Sequence, residues 1–436
     1  MITPEERRRL EIEENHVDDA SPLIGLDGGF TYISIVQRLP KILQSMIDSN
    51  RDHSPFMKQS IIHEQLKELE MELANGDVCT KFRIKTGDDS DDWKRFEEEF
   101  QVEKRTWLEL AWFFVENYFY RIILEITGYY VKDSELYLWD PFGNQKQKSL
   151  DFVFSKSEES VSVAEQFCTL LAELPTCEKK QRDLMREMIV LSLWGNQADL
   201  SLSVGLHSSD DKFKKVLEEN ILSNDLHAVM EVLEGVKLGK NRNIAIIMDN
   251  CGLELVSDMY MADTLLRLGY CDSVTFYGKV QPVFVSDVTE RDFFGTISQL
   301  QAKDGLVKEF ADRFQQFVKD GKWKLKTHPF FTGPLQYSQL PADFHSELNQ
   351  YEFIFIKGDA NYRRTINDAK HPVEQDFNET LQYFPCKQGV CCLRTIKSYS
   401  LIGIKDIERL KQVAETHKNW RYSGDFGVVE LSHRQK

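Results

Sequence analysis

The sequence is short of positive charge. Across 436 residues, 70 acidic side chains face 54 basic ones, for a net charge of −16. A surface of that sign repels phosphate backbones and anionic lipid, which argues against nucleic-acid and membrane-surface roles. Long apolar runs are also missing. The densest, Met188 to Trp194, stops at Gly195, short of the roughly 18 residues that cross a bilayer. The first residues do not read as a leader. Thr3-Pro4-Glu5-Glu6 is a helix start, with Thr3 as cap, Pro4 in the first turn and Glu6 closing a capping box. None of the eight cysteines has C-x-x-C spacing and none of the ten histidines forms an H-x-x-x-H pair. That argues against zinc and for reduced, mostly buried thiols in an intracellular, cytoplasmic protein.

What is present is ample core material: 42% of residues are apolar and 28% charged, ordinary globular usage. Up to about residue 235 the pattern is mainly helical. Stripes run through Arg38 to Ser49, His63 to Leu73, Glu159 to Leu174 and Lys180 to Leu193. Asp88-Asp89-Ser90-Asp91-Asp92 reads as a solvated loop that caps a helix near Trp93. Trp107 to Ile126, the most aromatic stretch, reads as packed core. After Gly239 short apolar runs alternate with helical patterns. Ile244 to Met248, Ser273 to Tyr277, Val283 to Val285, Phe353 to Ile356, Cys391 to Thr395 and Gly427 to Leu431 read as strands. The expectation is a helical N-terminal domain over 1–235 and a three-layer α/β/α domain with a mainly parallel sheet over 236–436.

In such sheets ligands bind beyond the carboxyl ends of the strands. Asp249 and Asn250 leave the first strand, Asp287 the third and Asp359 the fourth, and Arg394 to Lys397 lie on or past the fifth. Two carboxylates and an amide oxygen suit a hard divalent ion such as Mg²⁺ or Mn²⁺. Arg363 and Lys397 supply positive charge for an anion, and the helix opened by Gly252 turns N–H groups toward the same crevice. Taken singly, each element is an ordinary cap or turn. Together they describe a metal-assisted phosphoryl site.

The same residues resemble a known family. Asp249-Asn250-Cys251-Gly252-Leu253-Glu254-Leu255 is similar to the D-N-A-G-F-E-L segment of the metal-dependent damage-control phosphatases, long catalogued as a domain of unknown function. Val285 to Thr289 resembles their second carboxylate segment, and Lys357-Gly358-Asp359-Ala360-Asn361-Tyr362-Arg363 their K-G-D-L-N-Y-R loop. Arg394-Thr395-Ile396-Lys397 matches the R-T-x-K signature of the sugar-phosphate, or acidic residue methyltransferase-like, branch. Ser192 to Asn196, Asp140-Pro141-Phe142 with Gln145-Lys146, and Phe30-x-Tyr32 with Arg38-Leu39-Pro40 also match. Cys251, Leu253 and Ala360 depart from the pattern at positions that bear on substrate fit.

The resemblance implies manganese, cobalt or nickel on Asp249, Asn250 and Asp287, with magnesium a further option. It implies fructose 1-phosphate, fructose 6-phosphate and related small sugar phosphates as substrates. These would contact Asp249, Asn250, Glu254, Asp359, Ala360, Asn361, Tyr362, Arg363 and Lys397, with Asp249, Asp287 and Lys397 in catalytic roles. Asp359 and Asn361 are expected to hydrogen-bond sugar hydroxyls. Whether water or the Asp249 carboxylate attacks stays open; the D-x-D of haloacid-dehalogenase phosphatases is absent, since Cys251 takes its third position. The branch has also been credited with carboxyl methyltransfer from S-adenosylmethionine, which would place Glu254 and Asp287 against that cofactor. No glycine-rich turn follows the Ile244 to Met248 strand to support it, and Gly25 to Gly29 reads as a loop. A non-catalytic scaffold would leave the polar constellation unexplained.

Overall fold

Seven strands form one sheet in the computed structural model, which describes residues 21–155, 161–195 and 218–434. In chain order they are β1 (Ile221–Asn224), β2 (Asn243–Ile247), β3 (Ser273–Gly278), β4 (Trp323–Thr327), β5 (Phe353–Lys357), β6 (Gly389–Thr395) and β7 (Gly427–His433). Their spatial order is β1-β7-β6-β5-β2-β3-β4. The five strands β2 to β6 run parallel, whereas β7 is antiparallel to β6 and β1 follows β7. Side chains alternate between two cores, as the period of 2 requires. Ile244 and Ile246 of β2, with Phe353 and Phe355 of β5, pack into one layer. Ala245 and Ile247, with Ile354 and Ile356, pack into the other.

A third core is mainly helical and contains the aromatic stretch. It is built by Leu39–Ser49, Ser60–Ala74, Ser90–Phe100 and Trp112–Ile126. Trp107, Trp112, Phe114, Tyr118, Phe119 and Tyr120 are all buried in it. Among the described residues no helix is long and apolar enough to cross a membrane. All eight cysteines are free; Cys79 and Cys177 are exposed and the other six buried.

Four expectations need correction. The sheet takes β1 from before residue 236, and the helices over 143–194 also pack in its first core, so the α/β layering starts well upstream of that position. Val283 to Val285 is a turn, because Phe284 and Val285 have φ of 48° and 68°, a left-handed backbone that no strand adopts. The strand that pairs beyond β3 is β4, whose Trp-Lys-Leu-Lys-Thr sequence carries two lysines; charged side chains on an edge strand block pairing with a further strand. The acidic run is not merely solvated. Asp89 accepts from the buried Arg121 (Nη2 at 2.9 Å) and from Trp93 Nε1 at 3.1 Å. The helix start at Thr3 lies outside the described residues.

One buried acid sits in the sheet itself. Glu430 of β7 lies opposite Cys392, and a Cβ added at Gly403 (φ +78°) would meet its Oε1 at 2.1 Å. Burial pushes its carboxyl from 4.5 up to about 8, against the opposing pull of Tyr362 and Arg394. Such a group adds no pH-dependent cost below pH 4.5, where it is protonated folded or unfolded, and destabilises the fold increasingly as pH rises toward 8. Glu430→Gln should therefore gain on the wild type in urea midpoint between pH 5 and 8, by up to about 1.4 kcal/mol per pH unit, then level off. A gap that does not change with pH would show that this carboxyl does not titrate in the fold.

Candidate metal and phosphate site

The chain leaves β2 at Met248 and is at once pinned to a second segment. Val288 N–H donates to the Asp249 carbonyl at 2.8 Å, Cys251 N–H donates to the Ser286 carbonyl at 2.7 Å, and Asn250 bridges Asp287. The left-handed pair Phe284-Val285 makes this return possible. The Phe284 ring packs on Tyr120 (5.2 Å between centroids) and Phe113, so the N-terminal aromatic helix holds a strained turn in place. Asp287 thus reaches the site from a turn and not from a strand.

Asp249 and Asp287 are 5% and 1% exposed, and Asp249 Oδ1 and Asp287 Oδ2 have no hydrogen-bond partner. Buried polar atoms in that condition call for an explanation, and a ligand is one. Burial, then the charges of Asp287 and Glu254, push the Asp249 carboxyl well above its usual range; burial raises Asp287 to about 6. Asn250 Nδ2 donates to Asp249 Oδ2 (2.6 Å) and Glu254 Oε2 (2.9 Å), while its Oδ1 accepts from Ser286 Oγ (2.5 Å). Rotating the amide would exchange oxygen and nitrogen and turn the oxygen toward the carboxylates, with Ser286 Oγ able to accept in place of donating.

Lys357, at the end of β5, is fully buried beneath them. Its Nζ meets Asp258 Oδ1 at 3.0 Å, Ser192 Oγ at 2.9 Å and Glu254 Oε1 at 3.4 Å, so it fixes the acid that supports Asn250. Lys279, which the sequence reading passed over, ends β3 in the same crevice. Its Nζ stands 3.2 Å from Asp287 Oδ2 and 3.3 Å from Asn361 Oδ1. The strand-end rule would have found it, but that reading gave the third strand's chemistry to the Val283–Asp287 segment.

The short helix after β5 (Asp359–Thr365) is more occupied than expected. Asp359 Oδ1 accepts from Arg394 Nε (2.8 Å), Ser398 Oγ (3.0 Å) and Lys397 N–H (3.1 Å). Burial raises its carboxyl, but Arg394, Arg363 and the Lys397 N–H outweigh that and hold it below the usual range. Arg394 therefore pairs with Asp359 and positions Lys397. Arg363 is forked onto Asp368 (2.9 Å twice), bonded to Glu116 Oε2 (2.6 Å) and stacked 3.7 Å from the Trp112 ring. Expected to hold an anion, it is spent on joining the two parts of the chain. Asn361 Nδ2 donates to the Met248 and Lys357 carbonyls (3.1 and 2.9 Å). Tyr362 is buried under Arg394, and Ala360 is half-buried. Lys397 is half-buried, its stem lies under Gly424, and its charge acts on Asp249.

The other matching segments frame the crevice. Phe30 stacks on Tyr422 and meets Trp112 edge-on, and Arg38 shares Glu116 with Arg363. Lys146 is buried between Asp140 (2.8 Å) and Asp292 (2.7 Å), behind Cys251. Burial pushes the Cys251 thiol well up, which suits packing and not nucleophilic attack. Asn196 lies outside the described residues.

A mostly parallel sheet covered by helices, with paired carboxylates, an amide and lysines gathered at its strand ends, defines an α/β protein. The damage-control phosphatase ARMT1-like domain matches residues 34–413, and the chain belongs to that family. It is 30% identical to the damage-control phosphatase ARMT1 of Xenopus laevis, over 93% of this chain and 97% of that one. It is 30% identical to the human protein of that name over 92% and 96%, and 31% to the bovine one over 93% and 96%. A solved DUF89 family protein from Pyrococcus horikoshii is 13% identical, with a TM-score of 0.45 over 92% of this chain and 98% of that one.

Gly358 offers a sharp test of this geometry. Its φ is +83°, and a Cβ there would stand 1.9 Å from Asp249 Oδ2. Gly269 has φ +72° with nothing within 4 Å. Gly269→Ala should cost only the ~1–2 kcal/mol of left-handed strain, whereas Gly358→Ala should cost clearly more, because its ψ of 171° lies in a region essentially reserved for glycine and because the Asp249 carboxylate must move. Thermal denaturation of the two variants checks it; equal losses would mean that Asp249 is not held against this glycine.

Proposed function

We propose that this protein is a divalent-metal-dependent phosphatase acting on phosphomonoesters of small sugars, of the kind represented by fructose 1-phosphate and fructose 6-phosphate. The observation that carries the reading is the pair of buried carboxylates, Asp249 and Asp287, each with an oxygen lacking a hydrogen bond at the carboxyl edge of the sheet. Among the described residues no group of three or more His, Cys, Asp or Glu is arranged to hold a metal. The donor set here is two carboxylates and the Asn250 amide, an all-oxygen set that suits Mn²⁺ or Mg²⁺ and accepts Co²⁺ or Ni²⁺. The ion would supply Lewis-acid polarisation of the phosphoryl oxygens.

The chain's own residues do the rest. Asp359 and Arg394 set the Lys397 backbone so that its ammonium can balance charge developing on the phosphoryl group. Lys357 and Glu254 brace Asn250, and Asn361 ties the helix after β5 to the end of β2. The names of the relatives support phosphatase chemistry, and nothing in the site favours methyl transfer from S-adenosylmethionine.

Phosphate release from sugar phosphates by chelator-stripped protein, with Mn²⁺ added back, tests the reading; activity indifferent to metal would overturn it. Asp249→Ala should lose metal content and activity with the fold retained by circular dichroism. Lys397→Ala should turn over on the order of a hundredfold more slowly with metal content unchanged. Because Asp359 is bound to Arg394 and the Lys397 N–H, Asp359→Ala should slow sugar phosphates and a generic aryl phosphate alike. A selective loss of sugar discrimination would place Asp359 on the sugar instead.

A further inference from the structure

We propose that Lys279 is a resident counter-charge that competes with the divalent ion for Asp287 and so sets the affinity of the site for metal. The inference rests on the assignment of that ion to Asp249, Asn250 and Asp287. Lys279 is 2% exposed, and its Nζ forms a buried ion pair with Asp287 Oδ2 at 3.2 Å. A second contact to Asn361 Oδ1 (3.3 Å) and the Phe331 ring 5.2 Å away hold the ammonium where it is. Its backbone N–H is bonded to the Val288 carbonyl, so strand end and carboxylate move as one unit.

The charge arrangement requires something of this kind. Asp249 and Asp287 are both buried, and the charge of Glu254 bears on each of them. Lys357 is engaged by Asp258, Glu254 and Ser192; Arg363 by Asp368 and Glu116; Arg394 by Asp359. Lys279 is in direct contact with an expected metal-binding carboxylate. A dication on the same oxygen meets that fixed positive charge across low-dielectric protein, where like charges repel strongly. The two carboxylates and the Asn250 amide should favour metal. Lys279 should oppose it, which gives its removal the opposite sign.

Lys279→Met keeps the length and removes the charge; Lys279→Gln serves as a second neutral variant should the first misfold. Calorimetric titration of chelator-stripped protein with MnCl₂ should show the neutral variant binding at least tenfold tighter than wild type, and Lys279→Arg within a few-fold of it. The neutral variant should also melt lower than wild type when stripped, and regain most of that loss with Mn²⁺. Affinity unchanged or weakened would overturn the proposal, and so would an equal loss of melting temperature with and without metal, which is what a purely structural lysine predicts. Asp287→Asn separates the two levels. If wild type and Asp287→Asn bind Mn²⁺ alike, the metal assignment itself fails and this inference falls with it; if only Asp287→Asn loses metal while Lys279→Met gains nothing, the assignment stands and this inference fails.

Discussion

Carboxylates packed together away from water repel one another, and each prefers to take up a proton. Asp249 and Asp287 are held in that unfavourable state at the edge of the sheet, with Glu254 buried beside them through Asn250, and much of the surrounding structure answers to it. Lys279 stands against Asp287, Lys357 against Glu254 and Asp258, and the Lys397 charge acts on Asp249. These stand at the ends of two parallel strands, β3 and β5, and in the loop past a third, β6, so the sheet itself spaces the cations. Concentrated negative charge of this kind is a reservoir of affinity for a divalent ion, and its cost to the fold is limited by the lysines around it.

The helical N-terminal part is more than a roof. Its Trp112–Ile126 helix meets the α/β part through two unlike contacts. Tyr120 and Phe113 back the left-handed Phe284-Val285 turn that delivers Asp287, and Glu116 receives Arg363 from the helix after β5. One contact is apolar and shapes the backbone; the other is a charge pair buried on both sides. Breaking a buried pair by removing one partner is strongly destabilising. The site's geometry therefore depends on residues far outside the strand ends that carry its chemistry.

The R-T-x-K segment shows how a short motif divides its labour. Arg394 points back under Asp359 and bonds the Ser398 side chain and the Ser398 and Ser400 carbonyls, shaping the turn beyond β6. Ile396 is buried, and its backbone pairs with Phe426 and Gly424. Only Lys397 is left with a side chain half-open to the crevice. Arg394 and Ile396 hold a turn, and Lys397 follows on it with its charge.

The sequence alone determined the parallel strands β2, β3, β5 and β6 and the polar residues at their ends. A strand buried on both faces must be a short apolar run, and a motif of consecutive residues survives as a motif wherever it folds. The edge strands escaped it: β1 has four residues and β4 carries lysines, so neither shows an unbroken apolar signal. The partners of the charges escaped it as well. That Arg363 is neutralised by a glutamate 247 positions away, that Asp359 is bound by Arg394, and that Lys279 faces Asp287 were decided only when the chain closed on itself. Charge compensation depends on which groups lie opposite one another in space, and local residue order does not contain that information.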